Sequence, residues 1–157
     1  MRIASVGSAL PKHYYGQEFL TLAMKQYWGD KLENPRFLDQ LHARMGVEGR
    51  YLALPIEAYA KLTTWGQTNS AWIEAAQVLG KEALSLALTR AGLLPGDLSA
   101  LLVVSVTGIA SPSLDARLVN GMGLSPNIKR VPIFGLGFVA GAAGIARAAD
   151  YTLAYPG

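Results

Sequence analysis

The chain has 157 residues, of which 51% are hydrophobic and 16% are charged, so an intrinsically disordered protein is excluded. The net charge of +3 is modest, and the lysines and arginines are scattered along the chain. This pattern is weak evidence for small anionic ligands and gives no evidence for a nucleic-acid partner. Cysteine is absent, which excludes disulfides and thiolate chemistry, and two histidines do not suggest a histidine-based metal site.

The beginning of the chain reads as a strand and not as a secretory signal peptide, and no apolar stretch reaches the length of a membrane span. We therefore expect a cytoplasmic protein without a membrane partner. The strand is predicted over residues 2–10 and ends at Pro11. Residues 14–17 are expected to form a loop or the start of a helix.

Two short helices are predicted next, because apolar residues recur at helical spacing over residues 18–28 and 35–44. In the second helix, three apolar side chains are expected to face inward: Phe37, Leu38 and Leu41. Residues 49–52 are expected to be extended, and residues 62–70 to form a polar, aromatic loop.

The clearest predicted helix covers residues 71–91, with Gly92 as its cap. Residues 98–106 are a continuous apolar run rich in leucine and valine. Such a run indicates a strand covered on both faces, and hence a parallel sheet. After a loop, a short helix is predicted over residues 115–122.

The most informative stretch is 128–150. Residues 129–134 predict a strand, Gly135-Leu136-Gly137 a tight turn, and small residues from Phe138 to about residue 150 a helix. A helix that is apolar all round is typically buried, so we expect this one to lie between two layers. Close packing would also have to offset its glycines, which cost about 1 kcal/mol each relative to alanine.

A strand that turns directly into a helix places residue 138 where unpaired N–H groups and the helix dipole favour negative charge. Proteins often place a nucleophile or an anionic ligand at such a point. Phe138 can be neither, and an ordinary core phenylalanine in a buried helix is the alternative interpretation of this position. The alternation of strands and helices predicts an α/β fold with a parallel sheet and right-handed crossovers, whose last helix needs a further layer from another chain or a longer protein.

Three stretches carry a resemblance to a known family: VTGIASPSLDARL (106–118), RVPIFGLGFVAGAAGIARAADY (130–151) and, more loosely, NSAWIEAAQVLGKEALSLALTRAGLLPGDLSALLV (69–103). They resemble bacterial type III polyketide synthases, the chalcone synthase-like enzymes of the thiolase superfamily. Family members are more than twice as long. The resemblance therefore implies that residues 1–157 are a truncated N-terminal thiolase-like domain.

The resemblance implies an αβαβα sandwich in the full family, of which this chain is an incomplete half, and a homodimer. It also implies condensation of an acyl-CoA starter with malonyl-CoA units, each decarboxylated, without metal or other bound cofactor. The family's nucleophilic cysteine follows the Gly-Leu-Gly turn, where this chain has Phe138. The family's catalytic histidine and asparagine lie in the second half, so we expect no condensation by this chain.

Further positions carry over from the same resemblance. Thr107, Gly108 and Ile109 resemble the loop that lines the family's pocket. Ser111 and Pro112 fall where that loop reaches the cavity of the second subunit. A sixth position, Arg44, falls near the basic segment that meets the coenzyme A phosphates.

Two other functions stay open at this point. Gly135-x-Gly137-x-x-x-Gly141 lies between strand and helix, as in a dinucleotide-binding Rossmann domain, although no acidic residue follows at the expected distance. Glycines for tight helix–sheet packing explain the same residues. The apolar helix alternatively indicates a non-catalytic interaction fragment. The β-ketoacyl carrier-protein synthase III group shares the family's fold, but GIASPSLDARL (108–118) favours the polyketide branch.

The histidines and tryptophans are expected to be structural. His13 and His42 lack a motif that would pair them, so we expect surface or loop positions. Trp65 and Trp72 are expected to pack and not to bind substrate.

Charged candidates have ordinary alternatives too. Asp115 with Arg117 would make an active-site pair, but an aspartate at a helix N-terminus is the commoner role. Arg50 and Arg130 would bind phosphate, but solvated or ion-paired arginines are more usual.

Overall fold

The computed structural model describes residues 2–31 and 33–155. These residues form two compact units. One unit is Leu10–Thr68, and the other contains the described residues outside that range. Each unit is built around its own small set of buried apolar side chains.

The unit Leu10–Thr68 is a two-stranded antiparallel sheet packed against short helices. Its elements are β1 (His13–Gly16), α1 (Gln17–Trp28), α2 (Pro35–Arg44), β2 (Gly49–Leu52) and α3 (Ile56–Tyr59). Strand β1 pairs antiparallel with β2, from His13 opposite Leu52 to Gly16 opposite Gly49. The buried side chains at the centre of this unit are Leu20, Ala23 and Ile56.

The sequence predicted α2 and β2 with the bounds they have, because their local signals are strong. Asn34 caps α2 by accepting hydrogen bonds from the backbone N–H groups of Arg36 (3.1 Å) and Phe37 (3.3 Å). Two details were wrong. Of the three apolar side chains expected to face inward, Leu38 does so, but Phe37 and Leu41 are exposed.

Residues 14–17, expected as a loop or a helix start, belong to β1 and the first residue of α1. The partner of β1 is a strand more than thirty residues away in the sequence, so no local sequence pattern predicts the pairing.

The second unit is a parallel two-stranded sheet between helices. Its elements are α4 (Trp65–Ala91, which begins in the first unit), β3 (Ala100–Ser105), α5 (Leu114–Met122), β4 (Lys129–Phe134) and α6 (Ala140–Ala154). Strands β3 and β4 run parallel, with Ala100 opposite Lys129 and Ser105 opposite Phe134. The α/β class and the parallel pairing are confirmed.

Side chains alternate along β3. Leu102 and Val104 face α6, whereas Val103 and Ser105 line a cavity together with Trp72 of α4. Both faces of this strand are therefore covered, as its continuous apolar run predicted.

Helix α4 begins six residues before the predicted start at residue 71, so the expected loop over 62–70 was wrong in large part. A capping box explains the early start. The Gln67 side chain accepts from the backbone N–H groups of Thr63 (2.9 Å) and Thr64 (3.1 Å), and Thr64 Oγ1 accepts from the Gln67 N–H (3.3 Å). Gly92, at a φ of +67°, ends the helix as predicted.

The predicted strand over residues 2–10 is not present among the described residues. This segment runs beside α4: Ser5 Oγ donates to the Ala87 carbonyl (2.7 Å), and Arg90 Nη1 donates to the Val6 carbonyl (2.7 Å). Gly7 touches the α4 backbone, where a Cβ would overlap the Ala83 carbonyl. A strand needs a paired neighbour, and no described strand pairs with this segment.

Candidate functional site

The carboxyl ends of β3 and β4 lie at one edge of the sheet, because the strands are parallel and in register. The Gly135 N–H donates to the Ser105 carbonyl (3.1 Å), so the segments that leave both strands start side by side. Loop 106–113 follows β3, and turn 135–139 follows β4. In α/β sheets, ligand sites form at this edge.

The turn after β4 uses two glycines in the left-handed region, Gly135 at a φ of +89° and Gly137 at +56°. Side chains with a Cβ are strained there, so these positions require glycine. One turn of 3₁₀ helix, Gly137–Val139, then leads into α6. The predicted tight turn is confirmed.

Phe138 lies in this 3₁₀ turn, and its side chain is wholly exposed, at 112% of the reference accessibility. A phenylalanine in a protein core was one expectation for this position, and that expectation was wrong. The backbone presents residue 138 to the surroundings at the head of a 15-residue helix. Near such a helix start, N–H groups favour negative charge, but a benzyl group gives no nucleophile.

Helix α6 is covered on one side, not on both. Ala140 and Gly144 are buried against the sheet, and Gly144 lies so close to Val104 that a Cβ would overlap it. Leu153, on the side of the helix opposite Gly144, is 75% exposed. Ile145 lines a cavity with Leu102 and Val104 but is still 57% exposed. Of the two layers expected around α6, the described residues supply one: one face of α6 lies on β3 and β4, and the opposite face meets solvent. The further layer from another chain or a longer protein stays a prediction.

Loop 106–113 is held to α4. The Asn69 side chain forms two hydrogen bonds with the backbone of Ile109: Nδ2 donates to the carbonyl (2.8 Å), and Oδ1 accepts from the N–H (3.0 Å). Ser105 Oγ donates to the Gly108 carbonyl (2.8 Å). Gly108 is buried against the Trp72 ring, which leaves no room for a Cβ.

The loop positions carried over from the resemblance share this edge. Gly108 is buried, whereas four others are exposed: Thr107, Ile109, Ser111 and Pro112. A small cavity of about 60 Å³ lies beneath the loop and reaches Phe134, but Phe138 does not line it. The structure therefore brings the loop and the turn to one edge of the sheet.

A buried carboxylate lies under the same loop. Asp115, in the first turn of α5, is fully buried, and its Oδ2 accepts a hydrogen bond from Arg130 Nη1 at 3.0 Å. Its Oδ1 has no hydrogen-bond partner among the described residues. Arg117 instead donates from Nε to the Pro112 carbonyl (3.0 Å). The Asp115–Arg117 pair considered from the sequence was therefore wrong, and the partner of Asp115 is Arg130.

Arg44 belongs to the other unit, where it is exposed in the last turn of α2. His42 was expected at a surface or loop position, but it is half-buried in the last turn of α2, where its Nδ1 lies 2.7 Å from Thr21 Oγ1. Trp72 packs as predicted, whereas Trp65 is 70% exposed and does not.

Sequence analysis missed two contacts at the candidate site: the hydrogen bonds from the Asn69 side chain to the Ile109 backbone, and the Asp115–Arg130 ion pair. The partners in these contacts are 40 and 15 residues apart, so no local spacing reveals them. Within residues 2–31 and 33–155, no group of three His, Cys, Asp or Glu side chains is placed to hold a metal ion. No helix there has both the length and the apolar character needed to cross a membrane.

Residues 2–157 match the family model described as chalcone and stilbene synthases, N-terminal domain. The chain is 47% identical over 154 residues to a 1,3,6,8-tetrahydroxynaphthalene synthase of Streptomyces peucetius subsp. caesius, covering 98% of this chain and 41% of that protein. It is 34% identical to a phloroglucinol synthase of Pseudomonas fluorescens, covering 90% of this chain and 42% of that protein.

Among solved structures, the 1,3,6,8-tetrahydroxynaphthalene synthase of Streptomyces coelicolor, described as a bacterial type III polyketide synthase, superposes with a TM-score of 0.83. Its sequence identity is 28%, over 97% of this chain and 44% of that one. PKS-I of the brown alga Ectocarpus siliculosus shares the fold, with a TM-score of 0.81 at 24% identity, over 99% of this chain and 45% of that one. The chain thus spans less than half the length of the relatives it matches.

Proposed function

The chain belongs to the chalcone and stilbene synthase family, as its N-terminal domain, and from this we propose a role in type III polyketide synthesis. The reaction would be an acyl transfer: a starter acyl group leaves coenzyme A, and the carbanion from decarboxylated malonyl-CoA attacks the acyl carbonyl. One carbon–carbon bond forms, carbon dioxide and coenzyme A leave, and no redox cofactor is needed. The family and the thiolase-like fold leave no support for a Rossmann domain.

The observation that carries this proposal is the geometry at residue 138. Two left-handed glycines and a 3₁₀ turn present this residue at the head of α6, beside the loop that leaves the neighbouring parallel strand. A cysteine there would be favoured as thiolate and would hold an acyl group as a thioester. Phe138 has no atom that can hold it, so we propose that this chain alone does not catalyse condensation.

Other assignments extend the same proposal. Thr107, Gly108 and Ile109 would line the acyl pocket, and Ser111 and Pro112 would approach a second subunit of a homodimer. Arg44 would meet coenzyme A phosphates. Support comes from the exposure of Arg44 and of the loop positions other than Gly108, which is buried and lines the small cavity beneath the loop. We also propose a cytoplasmic location, with coenzyme A thioesters as substrates and no bound cofactor.

Incubation of the chain with malonyl-CoA and a fatty acyl-CoA tests the proposed inactivity, with free thiol as the readout. Because the chain has no cysteine, all thiol signal comes from coenzyme A. We expect release at the rate seen without protein. Turnover above that background would refute the proposal that this chain alone does not catalyse condensation.

The exposed face of α6 favours a second function, a non-catalytic piece that associates with a copy of itself or with another protein. Val139, Ile145 and Leu153 are each at least 57% exposed, which is unusual for large apolar side chains on one helix and its start. Size-exclusion chromatography with light scattering distinguishes a chain that associates with copies of itself from a monomer. A monodisperse monomer of 16.7 kDa would count against association.

A further inference from the structure

Loop 106–113 connects β3 to α5 without help from backbone pairing. Among the described residues, no backbone group of residues 107–112 forms a hydrogen bond with another backbone group. Such a segment keeps one conformation only if other groups satisfy its peptide N–H and C=O groups. Three side chains do part of this, and each comes from a different element: Asn69 from α4, Ser105 from β3 and Arg117 from α5.

Asn69 holds both backbone groups of a single loop residue. Its Nδ2 donates to the Ile109 carbonyl at 2.8 Å, and its Oδ1 accepts from the Ile109 N–H at 3.0 Å. Because one backbone partner is an acceptor and the other a donor, the orientation of the carboxamide is fixed. Asn69 thus bonds to Ile109 at both groups, as the opposite residue of an antiparallel strand pair does.

The residue before Ile109 shows how closely the loop fits. Gly108 is buried against the Trp72 ring, where a Cβ would overlap ring atoms, and its carbonyl accepts from Ser105 Oγ at 2.8 Å. Its neighbours Thr107 and Ile109 are exposed. The loop therefore turns one residue inward and presents the residue on either side of it outward.

The far end of the loop is held separately. Arg117 Nε donates to the Pro112 carbonyl at 3.0 Å, and Arg117 lies on α5, not on α4. The loop thus has two points of attachment, one at residues 108–109 and one at residue 112. Loss of the first should release residues 107–109 and leave the second in place.

We propose that Asn69 is a positioning residue for the acyl site, which fixes residues 107–109 before an acyl group meets them. The link to an acyl group rests on the proposed function, in which these residues line the pocket, whereas the positioning itself does not. A loop that is ordered beforehand costs less conformational entropy when a ligand binds. Asparagine suits this role because alanine lacks both polar groups and aspartate lacks the donor for the Ile109 carbonyl.

Hydrogen exchange of the isotope-labelled full chain, followed by amide NMR, tests the proposal first in the parent. Corrected for intrinsic rates, the Ile109 amide should exchange about fivefold or more slowly than that of Thr107. The Thr107 N–H has no hydrogen-bond acceptor among the described residues, whereas the Ile109 N–H has Asn69. Equal rates for the two amides would overturn the proposal.

Asn69→Ala should speed exchange of the Ile109 amide about fivefold or more. It should also change the chemical shifts of the Gly108 α protons, which the ring current of Trp72 displaces in the parent. Signals of α5 should stay, because Arg117 still holds Pro112. A purely structural role would instead speed exchange throughout β3 and β4. Unchanged signals of Gly108 and Ile109, or such a general response, would overturn the proposal.

Two further variants sharpen the test. Asn69→Asp keeps an acceptor for the Ile109 N–H, so this amide should exchange more slowly than in Asn69→Ala, and equal rates would contradict the assigned contact. Gln77→Ala is the matched control, because Gln77 is also half-buried on α4 but donates to the Ile73 carbonyl of its own helix at 3.2 Å. It should leave the loop signals as in the parent, and loop changes equal to those of Asn69→Ala would contradict the proposal.

The outcome is separate from that of the condensation assay. Turnover by this chain would overturn its proposed inactivity without changing the exchange rate of the Ile109 amide. Loop signals that do not respond to Asn69→Ala would overturn the positioning role and leave the family assignment as it is.

Discussion

We propose that a cysteine thiol at position 138 would be activated, and a single substitution tests this. In Phe138→Cys, the thiol would lie at the head of α6, where the helix dipole lowers the pKa of a thiol. We predict that it reacts with iodoacetamide at pH 7 about threefold faster or more than a thiol at the other end of the helix. The variant has one cysteine, so the alkylation rate is read directly.

Ala154→Cys is the matched control, because Ala154 is exposed in the last turn of α6. There the dipole raises the pKa of a thiol. Equal rates for the two variants would show that the turn after β4 does not activate residue 138. Since Phe138 is fully exposed, its replacement should leave the free energy of unfolding almost unchanged.

The Asp115–Arg130 pair is asymmetric, because the Asp115 side chain is 1% exposed and that of Arg130 is 43% exposed. Arg130→Gln leaves a buried carboxylate without its counter-charge, so we predict a loss of about 3 kcal/mol or more in the free energy of unfolding. Asp115→Asn should cost less, because Arg130 can then be hydrated. Urea denaturation measures both variants.

Arg147→Gln controls for the loss of an arginine, since the Arg147–Asp150 pair is exposed on α6. It should cost about 1 kcal/mol or less. A loss in Arg130→Gln no larger than this would mean that the buried carboxylate is not stabilised by Arg130.

At the residue scale, sequence reasoning located positions better than contacts. It placed Phe138 after the Gly-Leu-Gly turn and considered an ion pair for Arg130, and the structure has both. It did not find Asp115 as the partner, because that choice depends on how α5 packs against β4. The hydrogen bonds of Asn69 depend in the same way on packing between distant segments.

The glycines of α6 differ in what surrounds them, although they are equivalent in sequence. Nothing lies within 4 Å of a Cβ built on Gly141, whereas a Cβ on Gly144 would overlap the side chain of Val104. Gly141→Ala should therefore stabilise the protein by about 1 kcal/mol through helix propensity. Gly144→Ala should destabilise it by about 1–3 kcal/mol, because valine is stiff and the helix must move away from the sheet.

Thermal unfolding of the two alanine variants decides this comparison, each acting as the control for the other. Stabilisation by both would mean that α6 does not lie on β3 as described. The result also bears on the sequence prediction that close packing offsets both glycines, which the structure supports for Gly144 alone.

At the element scale, local chemistry decided which predictions held. Helix α2 and strand β4 have the predicted bounds, because capping, proline and alternation are read from neighbouring residues. Thr64 and Gln67 had the spacing of a capping box, so the early start of α4 was readable in the sequence. Strand β1 was not readable in the sequence, because its pairing with β2 is set by tertiary structure.

For the whole molecule, a sequence pI of about 9.3 combines with many exposed apolar side chains. The net charge of +3 at pH 7 falls to zero as the pH rises towards that value. We predict that light scattering at fixed ionic strength increases from pH 7 to about pH 9.3, because repulsion between copies is lost while apolar contacts remain. Scattering that decreases over this interval would show that charge does not limit association.

The fold class was readable from the chain because the strand–helix alternation and the apolar run of β3 are global patterns. The small residues of α6 predicted a helix between two layers, the second of them from another chain or a longer protein. The described residues supply the first layer, and the second stays a prediction.

The segment 2–9 lies beside α4, yet it shares no ladder of hydrogen bonds with a described strand. Among the described residues, its N–H groups have no backbone hydrogen bond, unlike those of β4, which bond to β3. In deuterium oxide, its amide protons should be replaced orders of magnitude sooner than those of β4. The side chains of Ser5 and Arg90 thus fix the position of this segment without shielding its backbone from solvent. A protease, which needs unpaired backbone, should therefore cleave this segment before any strand of the sheet.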